Sequence, residues 1–163
     1  MTFILFIAFI IFLRIGELLI SKSNEKWLLQ NNAVEYGKSH YPFIVALHVL
    51  FIASLIVEYY TRQPLAGNLC FLLLFFTLLA FKIWVIMSLG KFWNTKIYHI
   101  SNIPLIKKGP YKYLKHPNYI IVITEIAIIP LVFQLYYTAI LFSILNAIML
   151  FVRIKEENKA LKI

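Results

Sequence analysis

Aspartate is absent, and all seven acidic residues of the 163 are glutamates. That removes the aspartate of a Ser-His-Asp triad and of a Walker-type nucleotide site. Cysteine occurs once, as Cys70 inside an apolar run, so neither a disulfide framework nor a thiolate metal cluster can form. No G-x-G-x-x-G fingerprint of a dinucleotide site occurs. No internal repeat, low-complexity tract or flexible linker divides the chain, so a single domain over 1–163 is expected. The first apolar run lacks a basic segment before it and a small-residue cleavage site after it. It reads as a retained span, not a cleavable signal peptide.

Apolar residues, in contrast, are abundant. The chain is 61% hydrophobic with a mean hydropathy of +0.80, which points to an all-α integral membrane protein. Apolar runs cover 2–20, 42–59, 67–89, 117–133 and 136–152. Each approaches the ~20 residues a helix needs to cross a bilayer, so five transmembrane helices are predicted. Only Gln134-Leu135 separates the last two, which makes them a tight helical hairpin.

Charge is equally one-sided. Lys22, Lys26 and Lys38 lie in 21–41, and Lys91, Lys96, Lys107, Lys108, Lys112 and Lys115 lie in 90–116. Arg153, Lys155, Lys159 and Lys162 lie in the tail, against Arg62 alone on the other side. Lys/Arg excess marks the cytoplasmic side, so the N-terminus is expected outside and the C-terminus in the cytosol. The same charges attract anionic lipid. Nucleic acid is excluded as a partner, since it would need a water-exposed basic groove with stacking aromatics. The Lys-, Asn- and Ile-rich composition suits a bacterial cytoplasmic membrane, with the active face toward the cytosol. The connection 90–116 keeps Phe92, Trp93, Tyr98, Tyr111 and Tyr113, and 21–41 keeps Trp27, Tyr36 and Tyr41. Both read as segments lying in the membrane interface.

Ionisable groups inside spans are costly and are functional candidates by default. At ~1.5 Å rise per residue, Arg14, His48, Lys82, Glu125 and Asn146 all fall roughly 9–12 Å inside the cytoplasmic boundary. Glu17 lies one turn from Arg14. Two readings stand: buried pairs such as Lys82 with Glu125 that fix helix rotation, or a polar substrate chamber for the reactive head of an amphiphile.

Two further segments carry chemistry. In Lys115-His116-Pro117-Asn118-Tyr119, Pro117 suits the first helical position and pushes His116 out of helical geometry. Free N–H groups there favour an anion such as a carboxylate, with Tyr119 one turn along. In Arg153-Ile154-Lys155-Glu156-Glu157, Arg153 and Glu157 share a helix face. They form either a surface ion pair or part of a site. The hairpin returns position 153 to the membrane face of His116, where Glu156 or Glu157 can accept from a ribose diol and Arg153 can grip a carboxylate.

Leu89-Gly90-Lys91-Phe92-Trp93, Gly109-Pro110-Tyr111, Lys115-His116-Pro117-Asn118-Tyr119 and Arg153 with Glu156-Glu157 and Leu161 together resemble the isoprenylcysteine carboxyl methyltransferase family over about 88–161. Arg14-Ile15-Gly16-Glu17-Leu18, Asn24-Glu25-Lys26-Trp27, Glu35-Tyr36-Gly37 and His40-Tyr41-Pro42 resemble its small bacterial branch. That branch includes enzymes methylating alkylpyrones made by type III polyketide synthases. The resemblance implies S-adenosylmethionine as cofactor, held by the half from about 88 to 163, and a functional link to such a synthase. It implies that Tyr111, His116, Asn118 and Tyr119 bind the cofactor, that Glu157, with Glu156 as rival, takes its ribose, and that Arg153 orients the acceptor. Lys115 stands where the family usually has Arg, and Ile121 where many members have Gly.

Methyl transfer to an acceptor needs alignment and exclusion of water more than acid–base machinery. A carboxylate or acidic enol is already ionised at neutral pH. The reading is an O-methyltransferase for a lipophilic acceptor, prenylcysteine-like or alkylpyrone-like, drawn from the bilayer. No metal is called for. A nicotinamide-dependent lipid reductase, which shares part of the motif, and a small transporter or membrane subunit remain as alternatives.

Overall fold

The computed structural model describes residues 1–64, 67–101 and 103–161; Lys162, part of the basic tail, lies outside them. Five helices follow in order: α1 (Thr2–Gln30), α2 (Tyr41–Arg62), α3 (Leu69–Leu89), α4 (Pro117–Leu131) and α5 (Tyr136–Leu161). Four of them are long and apolar enough to cross a membrane, and α4 is a shorter apolar helix. At 15 residues α4 is ~22 Å long, less than a ~30 Å hydrocarbon core. The outer faces are greasy: Phe12, Leu19, Leu73, Met87, Ile144 and Phe151 are all exposed. Such surface is stable only against lipid, as befits an integral membrane protein.

The expectation of a purely helical chain needs one correction. Two short strands, β1 (Val34–Tyr36) and β2 (Ile97–His99), pair antiparallel with Glu35 opposite Tyr98. Outside the helices the backbone N–H and C=O groups need partners, and these β-branched and aromatic residues suit a ladder. A second difference is the length of α1. No separate interfacial helix follows it; the helix runs on unbroken to Gln30, because 21–30 contains neither Gly nor Pro.

Helix ends are specified locally. Asn68 caps α3 by accepting from the backbone of Cys70 and Phe71 at 3.0 and 3.3 Å. Pro117 opens α4 with His116 outside helical geometry at φ −133°, as the sequence predicts. The start of α5 is capped from elsewhere: Glu58, near the end of α2, accepts from the backbone N–H of Tyr137 (3.1 Å) and Thr138 (2.7 Å). A carboxylate at a helix N-terminus satisfies orphan donors and matches the dipole.

Helix α4 packs between α3 and α5, and α2 packs on α5. The main core lies toward the end of the bundle away from the ladder, with Phe3, Phe6, Phe51, Phe75, Ile129 and Phe142 among its buried residues. Phe3 stacks on Tyr59 with ring centroids 3.7 Å apart. The ladder end is built differently, from polar side chains. Asn24 on α1 donates to the carbonyls of Gly90 (3.1 Å) and Trp93 (2.7 Å). Ser21 and Asn94 are joined by two hydrogen bonds at 2.9 and 3.0 Å. Glu25 accepts from Lys96 (2.7 Å) and Tyr98 (2.6 Å). Together they fix the segment after α3 along the extension of α1.

Candidate active site at the ladder end

His116 precedes the first turn of α4 and Tyr119 sits on it, with Arg153 and Glu157 on the last turns of α5. Because the α4–α5 hairpin is tight, the two pairs meet. The imidazole of His116 stacks on Tyr119 with centroids 5.2 Å apart, and its Nδ1 lies 3.5 Å from Glu157 Oε2. The Tyr119 hydroxyl donates to Glu157 and accepts from Arg153 Nε at 3.1 Å. Arg153 also donates to the Thr95 carbonyl at 2.6 Å, and its guanidinium lies over the Tyr119 ring at 5.6 Å. A charge-assisted relay thus runs from Arg153 through Tyr119 to Glu157.

The structure separates the two glutamates. Glu157 lines the cavities described below, whereas Glu156 pairs with Lys159 at 2.8 Å and lines neither. The surface ion pair between Arg153 and Glu157, open as a reading of the sequence, is not formed. Arg153 is 9% exposed and turns instead toward Tyr119 and Thr95.

Three adjoining cavities surround this relay. A small one of about 90 Å³ is lined by Tyr111, Lys115, His116, Asn118, Tyr119 and Glu157, among others. It shares Tyr98, Tyr111, Lys115 and Glu157 with a larger one of about 390 Å³, walled by Leu28, Phe92, Ile103, Leu105 and Leu161. A drug-sized ligand needs ~300 Å³ or more, so the larger space decides whether a cofactor fits. Burial, reinforced by the carboxylate of Glu157, holds the Tyr111 phenol above its usual range, so it stays protonated.

The third cavity, about 100 Å³, lies deeper and is lined by Arg14, Glu17, His48, Lys82, Asn146 and Met149, and again by Trp93, Asn118, Tyr119 and Arg153. Here the predicted common depth becomes contact. Lys82 Nζ is 2.6 Å from Glu17 and 2.6 Å from Glu125. Arg14 reaches Glu17 at 2.8 Å and Glu125 at 3.0 Å. Two cations and two anions thus close a ring. His48 and Asn146 lie apart from the ring, facing the same space.

Gly109 sets the near wall. Its φ is +55°, and a Cβ there would run into Ser88 and come within 3.2 Å of Trp84 Nε1. Glycine alone combines that conformation with that approach, which lets Pro110 and Tyr111 close over the end of α3.

Sequence reasoning missed three contributors. The Thr95 carbonyl and Asn158, which lies 3.3 Å from His116 Nε2, carry no pattern of their own. Trp93 read as an interfacial aromatic, yet it is 3% exposed and its indole N–H has no partner. Its place in Leu89–Trp93 was the signal. Among the described residues no group of His, Cys or Glu could hold a metal ion.

No solved structure matches the chain. YpbQ of Bacillus subtilis, an uncharacterized protein, is 44% identical over 98% of this chain and 96% of its own. An uncharacterized protein of Haemophilus influenzae is 32% identical over 94% and 91%. Residues 69–163, which hold the whole α4–α5 relay, match the isoprenylcysteine carboxyl methyltransferase family. Its members are S-adenosylmethionine-dependent methyltransferases. On the relay, the shared motifs and this match, the chain belongs to the isoprenylcysteine carboxyl methyltransferase family.

Proposed function

We propose that this membrane methyltransferase uses S-adenosylmethionine to methylate an oxygen, a carboxylate or an acidic enol hydroxyl, on a lipophilic acceptor. In this reading five helices span the bilayer, the N-terminus is outside, and the ladder end faces the cytosol. The observation that carries it is the sharing of Tyr119 and Arg153 between the outer and inner cavities. A donor on one side and an acceptor on the other would meet at that pair.

The residues suit the cofactor's chemistry. Glu157 offers acceptor oxygens to a diol, His116, Asn118 and Tyr119 offer polar groups to an amino-acid end, and Phe92, Ile103 and Leu105 give apolar wall to a base. Once bound, the cofactor supplies an electrophilic methyl group. The chain's own part is alignment. The relay keeps Glu157 turned inward, Arg153 orients the acceptor oxygen, and the walls keep water out. The acceptor enters sideways from lipid, its head near the inner cavity and its tail among the helices.

Calorimetry on purified protein tests this. S-Adenosylmethionine should bind, Glu157→Ala should abolish binding, and Glu156→Ala should leave it within about twofold. A folded sample that binds no cofactor refutes the proposal.

A further inference from the structure

One wall of the 390 Å³ cavity has an unusual make-up. It is the segment 103–115, between β2 and α4, which brings Ile103, Leu105, Ile106 and Tyr111 to the lining. The same segment carries Lys107, Lys108, Lys112 and Lys115, all exposed, and no acid occurs anywhere from 90 to 116. Lys112 lies over the Tyr113 ring at 5.6 Å. The other three lysines have no hydrogen-bond or ion-pair partner among the described residues. Among these cations Tyr113 is 79% exposed, and Ile103, Leu105 and Leu114 are exposed with it. The ends of the wall are tied down: β2 pairs with β1, and Gly109 packs against Ser88 of α3. The stretch between is not. Leu105, Ile106 and Lys107 make no hydrogen bond to any described residue. Lysines interleaved with apolar side chains match a surface that is anionic outside and greasy just beneath.

We propose that 103–115 docks on anionic phospholipid, and that this contact holds the cavity wall in place, so that anionic lipid tightens binding of the methyl donor. The coupling to the donor rests on the methyltransferase reading above; the docking does not. The ammonium groups meet lipid phosphates, and Ile103, Leu105, Tyr113 and Leu114 enter the acyl boundary. Lipid is at hand, because the segment runs between two apolar helices, α3 and α4. A second copy of this chain fits the surface badly. It presents the same four cations, and each of its seven glutamates is already engaged. Glu17 and Glu125 belong to the ring, and Glu25 and Glu35 hold the ladder end. Glu58 caps α5, Glu156 pairs with Lys159, and Glu157 accepts from Tyr119. The missing negative charge therefore comes from outside the chain. Phosphate contacts at Lys107 and Lys108 supply the tie that the backbone of 105–107 lacks.

The test uses the full chain in nanodiscs of phosphatidylcholine, alone or mixed equally with phosphatidylglycerol. Backbone hydrogen exchange at Leu105, Ile106 and Lys107 should slow in the anionic discs by roughly fivefold, the worth of one lysine at an anionic surface. S-Adenosylmethionine should bind tighter there by about the same factor. The triple variant Lys107→Gln, Lys108→Gln, Lys112→Gln should lose both responses. The triple variant Lys22→Gln, Lys26→Gln, Lys155→Gln removes equal charge from other exposed positions and should keep both. Free glycerol phosphate added to the neutral discs should reproduce neither. Exchange or cofactor affinity that is equal in the two discs overturns the inference, as does a second triple variant that responds like the first. An effect of glycerol phosphate overturns it too, making the patch a site for soluble phosphate. So does a first triple variant that binds cofactor more weakly in both discs with the lipid ratio unchanged, since its lysines then touch the cofactor itself. The exchange measurement needs no cofactor, so wild-type failure to bind S-adenosylmethionine in either disc would strike the methyltransferase reading by itself.

Discussion

Glu125 illustrates how much one buried side chain can hold. It is 2% exposed and accepts from both Lys82 and Arg14, so its removal strands two cations in a low-dielectric interior. Breaking a buried pair this way costs about 3–5 kcal/mol. Glu125→Ala should therefore lower the thermal midpoint in detergent by many degrees, while Glu125→Gln, which can still accept, should lose less. Unchanged melting of Glu125→Ala would show that the ring does not brace the helices. Tyr119 acts at the same scale but in another way. Its hydroxyl donates to Glu157 and accepts from Arg153, so Tyr119→Phe breaks the relay while keeping the ring and its stacking on His116.

At the scale of elements, the sequence marks some helix ends and is silent on others. Pro117 with His116 before it announces the start of α4, and Asn68 announces α3. The apolar run announces α5, but no neighbouring side chain caps it. Its cap is Glu58, 79 residues before Tyr137, and only folding joins them. Glu58→Ala leaves two backbone donors unsatisfied, each worth about 1–3 kcal/mol when buried. Faster hydrogen exchange at Tyr137 and Thr138, spreading through the first turn of α5, is the expected readout. The ladder was illegible for a related reason. Three-residue strands carry too little alternation to register, and their pairing depends on α1 running on to Gln30. Lys96 is held there by Glu25, which raises its pKa above the ordinary 10.5. A raised value means this tie is intact below pH ~10.5 and is lost only as pH climbs through the folded value. Protection of β2 should accordingly stay flat from pH 6 to 9.

For the whole molecule, the lopsided charge yields an orientation that a single experiment checks. A fluorescent or enzymatic reporter fused after residue 163 should be active on the cytosolic side, and one ahead of residue 1 should not. The opposite result would place the ladder end outside, away from any cytosolic methyl donor. The arrangement also explains why site legibility was uneven. His116, Tyr119, Arg153 and Glu157 stood out because rare polar types flank apolar runs. Trp93 did not, because tryptophan at a membrane boundary is ordinary; its place in Leu89–Trp93 was the one signal in the chain, and its buried, unbonded indole N–H shows only in the structure.

The sequence by itself determined the membrane character, the helix order and family membership, because hydropathy and motif spacing are properties of the chain. It also placed Arg14, His48, Lys82, Glu125 and Asn146 at one depth, since helical rise converts residue number into height. Helix rotation is not encoded that way. Only the tertiary structure decided that the four ions close on one another and leave His48, Asn146 and Trp93 facing the cavity. It likewise turned Glu157 inward and Glu156 out. Adjacent residues on a helix point about 100° apart, and which of them meets the ligand space is set by the neighbour against which the helix packs.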